Sequence, residues 1–145
     1  MAASNFLTDA DRTLLVKEIE SAELRTSGEI RVHIETSCSG DPVRRAVSVF
    51  NTLKMFRTKD RNGVLIYVAY RSKKLAIIGD TGINTKVPEG FWNDVKEMLV
   101  KHFTSDDVVS GLKTAIEMTG TKLKEFFPYQ TDDTNEQSNE ISFGE

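Results

Sequence analysis

The sequence predicts a three-layer α/β domain: a mixed sheet with helices on both faces. Three observations carry this. Val64 to Tyr70 is a nearly unbroken apolar run, rich in β-branched and aromatic residues and too short for a typical helix. That pattern suits a central strand covered on both sides. Glu29 to Thr36 alternates, with Ile30, Val32 and Ile34 on one face and Glu29, Arg31, His33 and Glu35 on the other, as in a strand with one buried face. Between them, Val43, Ala46, Val47, Phe50 and Leu53 recur at helical spacing. The order strand, helix, strand implies a right-handed crossover and parallel pairing.

The remaining elements follow in order. Thr8 caps a first helix, with Asp9 and Asp11 at its positive end and Leu15, Ile19 and Ala22 along its apolar stripe. Gly28 ends the approach to the first strand, Ile30–Thr36. Ser37 to Asp41 turns the chain, and Pro42 starts the crossover helix. After Val64–Tyr70, the short polar stretch Arg71 to Lys74 returns the chain through Leu75 to Ile78, so Lys74–Gly79 is an antiparallel partner. Ile83 to Val87 reads as a loop, and Pro88 opens a helix with Phe91, Trp92, Val95, Met98, Leu99 and Phe103 on its stripe. Ser105-Asp106-Asp107 caps the last helix, whose stripe runs from Val108 to Phe126 before Pro128 stops it. A short fourth strand has no assigned place. The expected organisation is one domain over 1–128 and a mobile acidic tail over 129–145, in which Ile141 and Phe143 are the only large apolar residues that offer attachment.

Composition narrows the function classes. The chain has 145 residues, 39% hydrophobic and 28% charged, as in an ordinary globular protein. Five of the acids, Asp132, Asp133, Glu136, Glu140 and Glu145, lie in the tail, so the formal charge of −3 hides a body that is slightly positive. No dense basic stripe suggests nucleic acid. Cys38 is the single cysteine, which excludes an internal disulfide, and His33 and His102 lack metal-ligand spacing. No secretory signal or membrane segment is evident, so the expected location is cytoplasmic and the expected state monomeric.

Chemistry gathers at one sheet edge. Gly28-Glu29 begins the first strand, Asn62-Gly63 begins the second, parallel to it, and Gly79-Asp80 ends the antiparallel third. The first helix ends nearby and brings Glu23. Glu23, Glu29, Asp60, Asn62 and Asp80 are therefore expected to converge. Carboxylates and carbonyls without His or Cys make a hard oxygen site, suited to Ca²⁺, with Mg²⁺ as the second choice because it demands a stricter octahedron. Glu29 and Asp80 are the foremost ligand candidates, each beside a glycine at a strand end; Asp60, Asn62 and Glu23 follow.

Other chemistries fit less well. Asp80-Thr81-Gly82 spells the aspartic-protease tripeptide, but that fold is nearly all β and this chain carries four helical stripes. No nucleophile elbow, phosphate loop or dinucleotide fingerprint is present. Cys38 has no activating neighbour in the sequence apart from the distant His33.

Several stretches together resemble the TPM domain family. These are Phe6-Leu7-Thr8, Ala22 to Ile30, Asn62 to Ala69, Ile77 to Ile83, Phe91-Trp92, Phe103 to Gly111, and Phe127-Pro128 followed by Asp132 to Glu136. The last three look like the stand-alone bacterial branch. The resemblance implies an α/β sandwich with a Rossmann-like sheet and divalent-cation binding, chiefly Ca²⁺. It also brings a phosphatase label. The functional expectation is a calcium-binding module that recognises or stabilises a protein partner; the alternative is a metal-dependent phosphatase. Many members carry a signal peptide and membrane anchor, which this sequence does not show.

Overall fold

The computed structural model describes residues 6–129 and 138–144. Helix α1 (Asp9–Glu23) starts with a reciprocal cap. Thr8 Oγ1 accepts from the Asp11 amide at 3.0 Å, and Asp11 Oδ2 accepts from the Thr8 amide at 3.1 Å, so two orphan donors are satisfied at once. Strand β1 (Glu29–Glu35) leads to α2 (Pro42–Thr52), whose N-cap Asp41 accepts from the Val43 amide at 2.9 Å. A single 3₁₀ turn (Met55–Arg57) precedes β2 (Gly63–Ala69). Next come β3 (Lys74–Gly79), the one-turn helix α3 (Thr81–Asn84), α4 (Phe91–Thr104), α5 (Val108–Phe126) and β4 (Ser142–Gly144).

The sheet order among the described residues is β3-β2-β1-β4. β1 is parallel to β2, with Glu29 opposite Gly63, and β3 is antiparallel to β2, with Gly79 opposite Val64. The expected parallel pair and hairpin are thus both present, each strand boundary lying within one residue of the reading from sequence. Side-chain alternation divides the core into two layers. Ile30, Val32, Ile34, Val64, Ile66 and Val68 pack under α1, α4 and α5, with Leu15, Ile19, Leu99, Leu112, Ile116 and Leu123 fully buried. On the opposite face Leu65, Tyr67, Ala69 and Ala76 meet Ala46, Val49 and Phe50 of α2. Burying a side chain of this size contributes about 1.5–3 kcal/mol, so the larger layer dominates stability. α5 crosses so close to the start of β1 that a Cβ on Gly28 would lie 2.6 Å from Leu123 Cδ2.

Four details differ from the sequence reading. The loop expected over Ile83–Val87 begins inside α3, because the Asp80 carboxylate caps that turn at 2.7 Å from the Thr81 amide. The helix expected from Pro88 begins at Phe91, since Gly90 sits at φ +85 and sets the entry. The polar face of β1 is not solvated: Glu29, His33 and Glu35 are 2%, 6% and 3% exposed. Finally, the tail expected to be mobile returns to the body. β4 pairs in parallel with β1, Ser142 opposite His33 and Gly144 opposite Glu35, and Ile141 is buried in the larger core layer. The fourth strand is therefore at the β1 edge. The physical reason is an unpaired edge of backbone donors and acceptors beside apolar surface that Ile141 and Phe143 complete. The tail acids Asp132, Asp133, Glu136 and Glu145 lie outside the described residues.

Candidate functional site

The edge where β1 and β2 begin holds a pair of carboxylates in close contact. Glu23 stands at the last position of α1, and Gly28 carries the chain from there into β1. Glu23 Oε2 accepts from the Ile30 amide at 2.9 Å, tying the end of the helix to the start of the strand. A further hydrogen bond joins Glu23 to Glu29. Burial, followed by the charge of Glu29, pushes the Glu23 carboxyl up to about 9. Two carboxyls this close cannot both ionise cheaply out of water, so one proton is held between them.

Asn62, the residue before β2, lies at the same edge. The Glu29 amide donates to the Asn62 carbonyl at 3.4 Å. Asn62 is 1% exposed; its amide donates to Thr58 Oγ1 at 3.1 Å and its Nδ2 to Ser27 Oγ at 3.2 Å. Those two bonds aim the side chain, leaving Oδ1 buried with no hydrogen-bond partner among the described residues; Glu23 Oε1 is in the same state. Buried acceptors are normally satisfied, and these two stand out because they have no donor among the described residues.

The other two predicted ligands are placed differently. Asp80 is buried, but its carboxylate is already engaged. Arg61 Nε donates to Oδ2 at 2.8 Å and Arg61 Nη2 to Oδ1 at 2.9 Å, a bidentate pair, and Oδ1 also caps α3. Hydrogen bonding to Asp80 raises the Arg61 pKa further. Asp60 is exposed; its carbonyl, not its carboxylate, is turned inward against Gly82. A side chain at Gly82 would collide with the Asp60 and Arg61 backbone, which explains a glycine there. Among the described residues no group of three or more His, Cys, Asp or Glu is arranged around a common point. The groups present at this edge are the Glu23 and Glu29 carboxyls and the Asn62 amide.

Sequence reasoning missed a second cluster at the other end of β1. Glu35 accepts from Arg45 of α2 and from the Tyr67 hydroxyl. His33 Nδ1 is 2.9 Å from Ser142 Oγ, and its Nε2 lies 3.3 Å from Glu35 Oε1 without hydrogen-bond alignment. Burial would raise the Glu35 carboxyl, but the hydrogen bonds from Arg45 and Tyr67 and the charge of Arg45 outweigh it and hold the group at about 2. Burial pushes His33 down and Tyr67 up. The available signal was Glu35 itself, a carboxylate at the end of a central strand with Arg45 ten residues on in the first turns of the crossover helix.

A mixed α/β sandwich with a buried carboxyl pair at the amino ends of its parallel strands is the class that the fold defines. The chain belongs to the TPM domain family, whose profile matches residues 1–122. It is similar, at 43% identity, to the BA42 protein of the psychrophilic bacterium Bizionia argentinensis, known from an NMR structure; the match covers 97% of each chain with a TM-score of 0.89. The N-terminal domain of the cg2496 protein of Corynebacterium glutamicum shares the fold alone, at 14% identity and a TM-score of 0.65 over 83% of this chain and 76% of that one. No curated protein matches the sequence. Among the described residues no helix is long and apolar enough to cross a membrane.

Proposed function

We propose that this TPM domain binds a divalent cation, Ca²⁺ in preference to Mg²⁺, and that the loaded edge stabilises or recognises a protein partner. Glu23, Glu29 and the Asn62 side-chain oxygen would hold the ion, and backbone carbonyls and water would complete an irregular oxygen shell of the kind Ca²⁺ accepts. The supporting observation is the buried carboxylate pair beside two acceptors, Glu23 Oε1 and Asn62 Oδ1, that have no donor among the described residues. An ion bound there replaces the held proton and removes the repulsion between Glu23 and Glu29. Asp80 contributes indirectly: its pair with Arg61 fixes the turn that carries Asn62.

A thermal melt with and without millimolar-scale Ca²⁺, the range of weak oxygen sites, tests this together with amide resonances on titration. The expected result is a higher melting temperature and shifts at Ile30, Asn62 and Gly28, all lost in Glu29→Gln. An unchanged melt and silent resonances in the wild type overturn the reading. The second reading, hydrolysis of phosphate esters, is favoured by one feature, Arg31 on the same strand face as Glu29, whose Nε has no hydrogen-bond partner among the described residues. Turnover of a generic phosphate ester that needs the cation and disappears in Glu29→Gln would make it the first.

A further inference from the structure

We propose that the cavity at the carboxyl end of β2 binds a small apolar carboxylate, its body between aromatic walls and its head group at Lys73. The site lies at the far end of the sheet from the Glu23–Glu29 pair and is independent of the cation reading. Val68 and Leu75, paired across β2 and β3, form its floor. Phe6 and Tyr70 make one wall, their rings stacked at 4.5 Å. Val100 and Phe103 of α4 make the other. The cavity holds about 470 Å³, within the roughly 300–1,000 Å³ of small-ligand pockets. The carboxyl ends of strands are also where open α/β sheets usually take ligands. Two hollows of similar volume, one along α4 at Asn93 and Lys96 and one beside the start of α2 at Ser39 and Arg44, are more open to solvent.

Charge selects the class of occupant. The charged residues on the cavity are Lys73, Lys74 and Asp106, two cations against one anion. Lys74 Nζ donates to the Gly40 carbonyl at 2.7 Å and is held there. Lys73 and Asp106 are exposed, and neither makes an ion pair among the described residues. The surplus of positive charge attracts an anionic head group, and Lys73 is the cation left to meet it. A single negative charge fits better than a double one, because Asp106 repels the second. The apolar body has its own driving force. Val100 is 43% exposed, and Phe6, Tyr70 and Phe103 are only half-buried, so a hydrocarbon seated between them takes out of water a surface that the chain leaves wet. Lys73 itself holds the left-handed backbone of the β2–β3 turn, at φ 55, a conformation that glycine adopts more readily.

The test titrates the full ¹⁵N-labelled chain, without Ca²⁺, with phenylacetate, phenethyl alcohol and phenethylamine, which share an aromatic body and differ in head-group charge. Amide shifts are expected at Tyr70, Leu75 and Phe103. The acid should bind about fivefold more tightly than the alcohol, the size of a partly exposed charge contact, and the amine most weakly. Lys73→Gly keeps the left-handed turn, so it should erase the preference for the acid without lowering the melting temperature. Asp106→Asn should strengthen binding of the acid. Val100→Trp fills the cavity from an exposed position and should abolish the shifts with all three compounds. Equal affinity for acid and alcohol in the wild type overturns the carboxylate class. Acid binding that is unchanged in both Lys73→Gly and Val100→Trp overturns the site, and so does a wild type whose resonances move with none of the compounds.

Discussion

Glu29 and Glu35 occupy the two ends of one strand, face the same side and are equally hidden from water, yet their surroundings are opposite. Glu35 receives hydrogen bonds from Arg45 and Tyr67 and is held at about 2. Glu29 faces Glu23, whose carboxyl is pushed up to about 9. At one end of β1 a carboxylate meets donors of opposite charge; at the other it meets a second carboxylate. A buried carboxylate met by cationic and hydroxyl donors is favoured in its charged form, whereas two carboxyls set against each other disfavour it. Burial alone does not separate the two; the partners do.

Substitutions should break the comparison in opposite directions. The largest effect is expected for Glu35→Gln, which leaves the Arg45 guanidinium without its counter-charge and weakens the Tyr67 bond. Removing one partner of a buried pair costs about 3–5 kcal/mol. The Arg45 side chain is 46% exposed, so a discounted figure of about 2 kcal/mol applies. That corresponds to a melting temperature lower by about 7 °C. Calcium should not rescue it. Truncation after Asn139 comes next. It removes Ile141, the Phe143 ring that Arg12 covers at 5.2 Å, and the Ser142 partner of His33. The fold should survive with a loss of about 2 kcal/mol, read by urea unfolding, and the Ca²⁺ response should be unaffected. A non-cooperative transition would show that β4 is integral to the domain.

At the Glu23–Glu29 end the sign reverses. Glu23→Gln should stabilise the metal-free protein near pH 8 by about 1 kcal/mol, because it removes a carboxylate whose ionisation the fold resists, while abolishing the Ca²⁺-induced rise in melting temperature. The same residue predicts a pH dependence. Its folded pKa of about 9 lies above the ordinary value of 4.5. The folded state therefore keeps a proton that the unfolded chain has released, and the contribution is full below about pH 4.5 and is lost as pH rises towards 9. Glu35 behaves inversely. Its folded pKa of about 2 is below 4.5, so its contribution is present above pH 4.5 and lost as pH falls towards 2. Urea midpoints between pH 3 and 9 should show both slopes, the alkaline one flattened in Glu23→Gln and the acid one in Glu35→Gln. The smallest effect is expected for Asp80→Asn. The Arg61 side chain is 50% exposed, so losing that screened pair and weakening the α3 cap lowers the urea midpoint least of these substitutions. Ca²⁺ affinity should fall less than in Glu29→Gln.

Much of the architecture was legible from local pattern. The run Val64 to Tyr70, the alternation from Glu29 to Thr36, the cap at Thr8 and the helix start at Pro42 are statements about neighbouring residues, and the structure repeats them. Parallel pairing followed from chain order and handedness. The edge at Gly28, Asn62 and Gly79 followed in turn, because register is a consequence of strand direction. Sequence therefore determined the layers, the hairpin and which end of the sheet gathers carboxylates.

Tertiary structure decided what those carboxylates face. Asp80 pairs with Arg61 and not with Glu29; Glu23 meets Glu29 because α1 ends against β1; Glu35 finds Arg45 across the crossover. Ser142 reaches His33 over a separation of 109 residues, which no local pattern encodes. The physical reason is that periodicity and turn chemistry act through adjacent residues. The neutralisation of a buried charge depends on side chains brought within a few ångströms from distant parts of the chain, where low dielectric makes each partner count.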